Sequence, residues 1–301
     1  MPLPLLRAKI VFDTQILDYV YRGSICPEDW NAVVKYISKN CRYAISANTL
    51  YELLAGIAKG DVNHFSENQS RIRLLCQPAR REFLPTVGNF LRSKVFGLPP
   101  RKPDFQPKRL GLWTEVVLAA AGKSNLQSGV ALHKAGHSSK TYGFDLQLLL
   151  NQIEEGKQSH SERLEGLRHG ELLPSTDDSW SRSILNFIDL PVTDANARKI
   201  LAALNAAHLY EISLYEMAKN HQYDFRKHDS DWIDAQQLYY LADPSVWFIT
   251  CDANIRFRTI DSTQRDRILS FDELKAVAMN RTAVSRSTKK PERSYSPSPS
   301  R

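Results

Sequence analysis

The sequence predicts an α/β fold: three layers, α/β/α, around a central parallel sheet, with a helical insertion and a disordered C-terminal tail. Three observations carry that reading. Short apolar runs (AKIVFD at 8–13, YAIS at 43–46, VWFIT at 246–250) alternate with amphipathic helical patterns, as buried parallel strands and their covering helices do. Between 97 and 190 this regularity stops. After Met279 almost nothing apolar is left to bury.

Taken in order, AKIVFD is a strand that ends at Asp13, and TQILDYVYRG is a helix closed by Gly23. Pro27 opens a second helix, PEDWNAVVKYISKN, with Glu28 and Asp29 in the first turn, where the helix dipole favours acids. YAIS is the second strand, and Ser46 or Asn48 caps a helix TLYELLAGIAKG that carries Glu52. EFLPTV, 82–87, reads as a third strand. The stretch 97–190 holds PPRKP, the helical pieces LGLWTEVVLAAAGK and FDLQLLLNQIEEGK, and the polar loop PSTDDSWS. Regularity resumes with one long helix from Asp194 to Lys219 capped by Thr193, and a shorter one from Ser230 or Asp231 to Leu241. VWFIT is the next strand, and ILSFDELKAVA supplies a last strand and helix. Residues 1–96 and 191–279 are thus expected to form two parts of one α/β domain, with 97–190 a mainly helical insertion and 280–301 a disordered basic tail.

A chain of 301 residues with 42% hydrophobic content can bury a full core. Cys26, Cys41, Cys76 and Cys251 are far apart, without the C-x-x-C spacing of a zinc or redox motif, which implies a reducing setting. The N-terminal apolar run is brief, and no run approaches the ~18 apolar residues of a membrane span, so a cytoplasmic protein without a membrane partner is expected. The net charge of +7 is unevenly spread. Residues 281–301 carry six Lys/Arg and one Glu, and the stretch from Arg71 to Arg109 carries ten Lys/Arg against Glu82 and Asp104. The remainder is net acidic, so the body is polarised. Arg71, Arg73, Arg80 and Arg81 become candidate nucleic-acid contacts.

The acids need their own explanation. Asp13 and Asp252 each follow an apolar strand, and open parallel sheets bind ligands at the carboxyl ends of their strands, near the switch in strand order. Glu52 lies on the helix after the second strand, and Asp231 and Asp234 share one face at the start of another. Brought together, such carboxylates repel by several kcal/mol in a partly dry cleft unless a cation intervenes. Hard oxygen ligands suit Mg²⁺ or Mn²⁺, which can polarise a phosphoryl oxygen and acidify a water. Taken singly, each acid has a plainer explanation, because an Asp after a strand usually caps a helix or forms a turn.

Order and spacing together add a resemblance. KIVFDTQILDYV resembles the opening strand and Asp of PIN-domain nucleases, and ISANTLYELLAG the segment that bears their second acid. DWIDAQQLYYLADPSVWFITCD resembles their closing helix, strand and T-x-D, and ILSFDELKAV their last strand and helix. The resemblance implies a PIN-like fold and a metal-dependent endoribonuclease, in many bacterial cases the toxin of a toxin–antitoxin pair with an antitoxin-like protein partner. Carried over by position, Asp13, Glu52, Asp234 and Asp252 would be the ion ligands, with Asp231 adjacent and Thr250 orienting a ligand. The insertion and basic tail make this chain longer than the compact toxin type. Two alternatives stay open: a catalytically inactive PIN-like module that binds RNA or protein, and a DNA nuclease on the same scaffold. A site that engages phosphate does not itself choose between RNA and DNA.

Other signals are weaker. Gly122–Ser124 lacks the earlier glycine of a phosphate-binding loop, with Val117 in its place. His133 and His137 have i, i+4 spacing without a metalloprotease glutamate, and His221 and His228 lie near the acidic helix, where they could contact phosphate or act as acid.

Overall fold

In the computed structural model of the chain, the described residues are 7–58, 62–79, 81–101, 154–162, 165–166, 177–220 and 231–287. Five strands form one parallel sheet: β1 (Lys9–Phe12), β2 (Arg42–Ile45), β3 (Arg81–Phe83), β4 (Val246–Ile249) and β5 (Ile268–Leu269). Their order is β3-β2-β1-β4-β5, so the chain winds outward from β1 in one direction and, after β4, in the other. The switch lies between β1 and β4, with Phe12 beside Ile249 in the register. A crevice opens at the carboxyl ends of two strands that diverge in this way.

Side-chain alternation along the strands builds two cores. Ile10, Phe12, Tyr43, Ile45, Trp247 and Ile249 point into one, and Val11, Ala44, Val246, Phe248 and Ile268 into the other. The first is closed by α1 (Thr14–Tyr21), α2 (Pro27–Asn40), α3 (Ala47–Ala58), α4 (Val62–Leu75) and the final helix. There Phe12 lies 5.3 Å from the Trp30 ring and 5.6 Å from Tyr43. The second core is closed by α5 (Val87–Phe96), α6 (Asp177–Phe187), α7 (Asp194–Ala203), α8 (Asn205–Lys219), α9 (Asp231–Leu238) and α10 (Ala253–Arg258). The last helix, α11, spans Phe271–Ser287. Helices therefore cover both faces of a parallel sheet, the layering expected from the alternating apolar runs. Among the described residues no helix is long and apolar enough to cross a membrane.

Several elements depart from the sequence reading, each for a local reason. The expected third strand at 82–87 shrinks to Arg81–Phe83, because Pro85 cannot donate to a ladder and Thr86 is the N-cap of α5. Helices α4 and α5 were not foreseen. The polar loop PSTDDSWS is in part helical: α6 starts at Asp177 and buries Trp180 to 2% exposure. The helix from Asp231 ends at Leu238 and tightens into a 3₁₀ turn, Tyr239–Ala242. Residues 280–287, assigned to a disordered tail, continue α11, since helix propagation needs no further nucleation and this segment contains no proline.

The expected single helix over 194–219 is two helices broken at Leu204, whose φ of −121° is not helical. Gln264 occupies the break. Its amide donates to Ala203 O (2.7 Å) and Leu241 O (3.1 Å), and its carbonyl accepts from Ala206 N–H (2.9 Å). Leu241 O keeps a 2.8 Å bond from Arg267, so Gln264→Ala strips the partner from Ala203 O and Ala206 N–H, at about 1–3 kcal/mol for each orphan. It should therefore lower unfolding free energy by at least about 2 kcal/mol in urea titrations; a loss under about 1 kcal/mol would show that water replaces the side chain.

Arg80, Gly122–Ser124, His133, His137, His221, His228, Ser230 and most of the expected insertion and tail lie outside the described residues.

Candidate active site

The chain leaves β1 at Asp13, whose N–H still joins β4 through Ile249 O (2.9 Å) while its extended backbone caps α1. The side chain is 4% exposed. Asp13 Oδ1 accepts from Gln15 N–H (3.5 Å), and Oδ2 accepts a 2.7 Å bond from the Thr250 hydroxyl. The same Thr250 oxygen accepts from Asp252 N–H at 2.9 Å. Asp252 in turn caps α10, its Oδ1 accepting from Asn254 N–H at 2.6 Å. The plain reading of both aspartates as helix caps is thus true, and it is what holds them at the mouth of the β1–β4 crevice. Fully buried Thr250 links the two.

Thr250→Val keeps the side-chain shape but removes both bonds. It should cost about 1–3 kcal/mol at pH 8, where the partner carboxylate is charged, and less at pH 4.5, measured by denaturant unfolding at the two pH values. An equal cost at both would show that Thr250 serves packing alone.

Glu52 arrives from β2. Ser46 Oγ accepts from Thr49 N–H (2.9 Å) and so caps α3, resolving the choice between Ser46 and Asn48. The Thr49 hydroxyl donates to Phe12 O at 3.3 Å, tying the start of α3 to the end of β1. One turn on, half-buried Glu52 accepts a short hydrogen bond from the hydroxyl of Thr14, the residue after Asp13. On α9 the two aspartates separate. Asp231 is buried and sits 3.6 Å from Arg258, whose guanidinium also lies over the Tyr210 ring. Asp234 feels the charges of Asp13, Glu52, Asp231 and Asp252.

These groups perturb one another. Burial pushes the Asp13 carboxyl up to about 6, with Asp252 adding to the shift and the Thr250 hydrogen bond opposing it. Burial likewise pushes Glu52 to about 7, against the Thr14 hydrogen bond and the Lys157 charge and with help from Asp13. Asp234 is raised well above the ordinary range, first by burial and then by the neighbouring acids. Poorly solvated, mutually repelling carboxylates are chemically suited to a hard divalent cation. Among the described residues, however, no group of three His, Cys, Asp or Glu side chains is close enough to hold one as placed.

No family model, curated protein or solved structure matches the chain. The site is therefore read from its own residues.

Among the described residues, the basic stretch is largely committed to the fold. Arg71 pairs with Asp18 and Glu67 and bonds Asn68 (3.0 Å), Arg81 donates to Cys76 O, and Arg92 donates to Ile188 O (3.0 Å). Lys94 meets Asp243 at 2.9 Å, and Arg101 meets Asp189. Arg73 is exposed. Charge counted along a sequence does not reveal which guanidiniums will satisfy carbonyls and acids inside the molecule. Thr14, Lys157 and Arg258 were missed. Thr14 could have been suspected from its place beside Asp13, but nothing local marks Lys157 or Arg258, which act across long sequence separations.

Proposed function

We propose that the chain is a metal-dependent nuclease of the PIN-like type that hydrolyses phosphodiester bonds, with RNA as its substrate. What supports this reading is that Asp13, Glu52, Asp234 and Asp252, from four separate stretches, lie within electrostatic reach of one another near the carboxyl ends of β1 and β4, where burial and mutual repulsion raise three of them. These four are the proposed ligands, with Asp234 preferred to Asp231 because Arg258 already faces the latter. Bound there, Mg²⁺ or Mn²⁺ supplies charge neutralisation, polarises a phosphoryl oxygen and acidifies a water. Thr250 holds Asp13 in one rotamer, and Thr14 does the same for Glu52. Among the described residues of the basic stretch, exposed Arg73 is the candidate for contact with the strand backbone.

A second reading, a PIN-like module that binds RNA or protein without cutting, draws on the carboxylates not closing into a ligand set as placed. One assay separates the two: full-length protein with labelled single-stranded RNA and single-stranded DNA, in Mn²⁺ and in EDTA. The nuclease reading expects Mn²⁺-dependent cleavage, faster for RNA. Binding that is indifferent to metal and leaves both strands whole would refute it, and preferential cutting of DNA would redirect it to the DNA nuclease alternative.

A further inference from the structure

A second feature borders the same helix. A cavity of about 340 Å³ opens between α6, α8, α9 and the helical residues 154–162. Its walls are aromatic: Trp180, Trp232, Tyr215 and Tyr239, with Phe187 at the rim and 54% exposed. A void of this size lined only by hydrocarbon would call for a lipid-like or purely apolar guest, but this one carries polar groups. The Glu211 carboxylate lines it, 8% exposed, and accepts from the hydroxyls of Tyr215 (3.0 Å) and Tyr239 (2.6 Å). Each of its oxygens retains a second lone pair. The indole N–H groups of Trp180, itself 2% exposed, and of Trp232 are buried with no acceptor among the described residues. Buried donors without partners are rare and call for an explanation.

The position of the cavity is as informative as its lining. Helix α9 carries Asp234, which feels the other acids, and lines the cavity with Trp232, Ala235 and Gln236, the 3₁₀ turn that follows adding Tyr239. The segment 154–162 does the same from the other side: Lys157 acts on Glu52, while Gly156, Ser159 and His160 line the cavity. Gly156 permits this approach, since a Cβ there would come within 2.8 Å of the Trp232 ring. The cavity is thus a neighbour of the carboxylates, sharing two elements with them.

We infer that this cavity receives one nucleobase of the bound strand, flanking the phosphate held at the carboxylates. The inference rests on the nuclease reading for its substrate class. Flat aromatic walls stack a base, two indole donors meet its carbonyl or ring-nitrogen acceptors, and Glu211 accepts from an exocyclic amine or ring N–H. A volume of a few hundred Å³ is that of an ordinary small-ligand pocket.

The test uses full-length protein in EDTA, titrated calorimetrically with each of the four nucleoside 5′-monophosphates, with ribose 5-phosphate and inorganic phosphate as controls. At least one nucleotide should bind saturably, and at least tenfold more tightly than ribose 5-phosphate. Ser183→Trp, at an exposed position on the rim, should weaken that binding tenfold or more while leaving the melting temperature unchanged. Trp180→Phe keeps an aromatic face but removes the donor, and should alter the preference among the four bases. Binding of ribose 5-phosphate equal to that of the nucleotides, no binding at all, or full affinity in a folded Ser183→Trp protein overturns the proposal. The nuclease reading fails on a different result, absence of metal-dependent cleavage, to which this titration is blind.

Discussion

Asp13→Asn and Asp252→Asn are each expected to slow cleavage of single-stranded RNA by at least the ~10²–10³-fold that loss of one preorganised electrostatic group costs, while the protein stays folded. Asparagine has the shape of aspartate and caps helices as well, so the bond from Asn254 N–H survives at position 252. At position 13 the single amide oxygen, turned toward Thr250, keeps the short bond from that hydroxyl and gives up the long 3.5 Å contact from Gln15 N–H. The main loss is one negative charge at each position. Because Asp13 is buried beside other acids, its removal should leave the melting temperature at pH 8 unchanged or higher. Circular dichroism melts and initial cleavage rates on the same preparations separate chemistry from stability. Wild-type rates in both variants would mean that these carboxylates are caps and nothing more.

The second large effect is on stability against pH. Asp13 and Glu52 carry folded values of about 6 and 7 against ordinary values of 3.8 and 4.5, and Asp234 is raised as well. Between pH 4 and 7 the native state therefore holds more protons than the unfolded chain, so the stability these groups contribute is present below pH 4 and lost as pH rises through 6–7. At ~1.4 kcal/mol per unit, each of the first two carboxyls taken alone accounts for on the order of 3 kcal/mol. Asp243 titrates with the opposite sign. Hydrogen bonds from Ser245 and Lys94 outweigh its burial and lower it to about 2, so its contribution is present above pH 3.8 and lost in acid. The comparison that isolates the site is wild type against Asp13→Asn/Glu52→Gln/Asp234→Asn, melted without metal from pH 4.5 to 8. The wild type should lose several degrees relative to the variant as pH rises, and millimolar Mn²⁺ at pH 8 should restore them in the wild type only. Parallel profiles, with Mn²⁺ acting on neither protein, would remove the case for a cation at these carboxylates.

Much of the framework was legible locally. AKIVFD and VWFIT are β-branched and aromatic, short, and bounded by capping aspartates, so they had few alternatives to buried strands. Gly23 takes the positive φ of 79° expected of a residue that closes a helix, and Thr193 caps α7 through Asn196 N–H at 3.2 Å. The failures share a cause. The break at Leu204 depends on Gln264, a residue some sixty positions away that no window around the helix contains. The helix within PSTDDSWSRS is held by Trp180 packing 4.8 Å from the His208 ring, again a distant partner. Polar composition suggested a loop because propensity was the only information available there.

For the candidate site, position along the chain singled out five acids and the resemblance added Thr250; Asp13 and Asp252 could be set at strand ends, because the period of a parallel strand and the caps that follow it are local properties. It could not decide between Asp231 and Asp234, both on the first turn of one helix; Arg258, arriving from α10, faces one of them and leaves the other among the remaining acids. Nor could it show that Arg71, Arg92 and Lys94 serve carbonyls and carboxylates within the fold. Local order is written by sterics and backbone hydrogen bonding, which act over a few residues. Partner choice among charges and the shape of a cavity depend on which surfaces meet once the sheet has closed, and only the tertiary structure decides that.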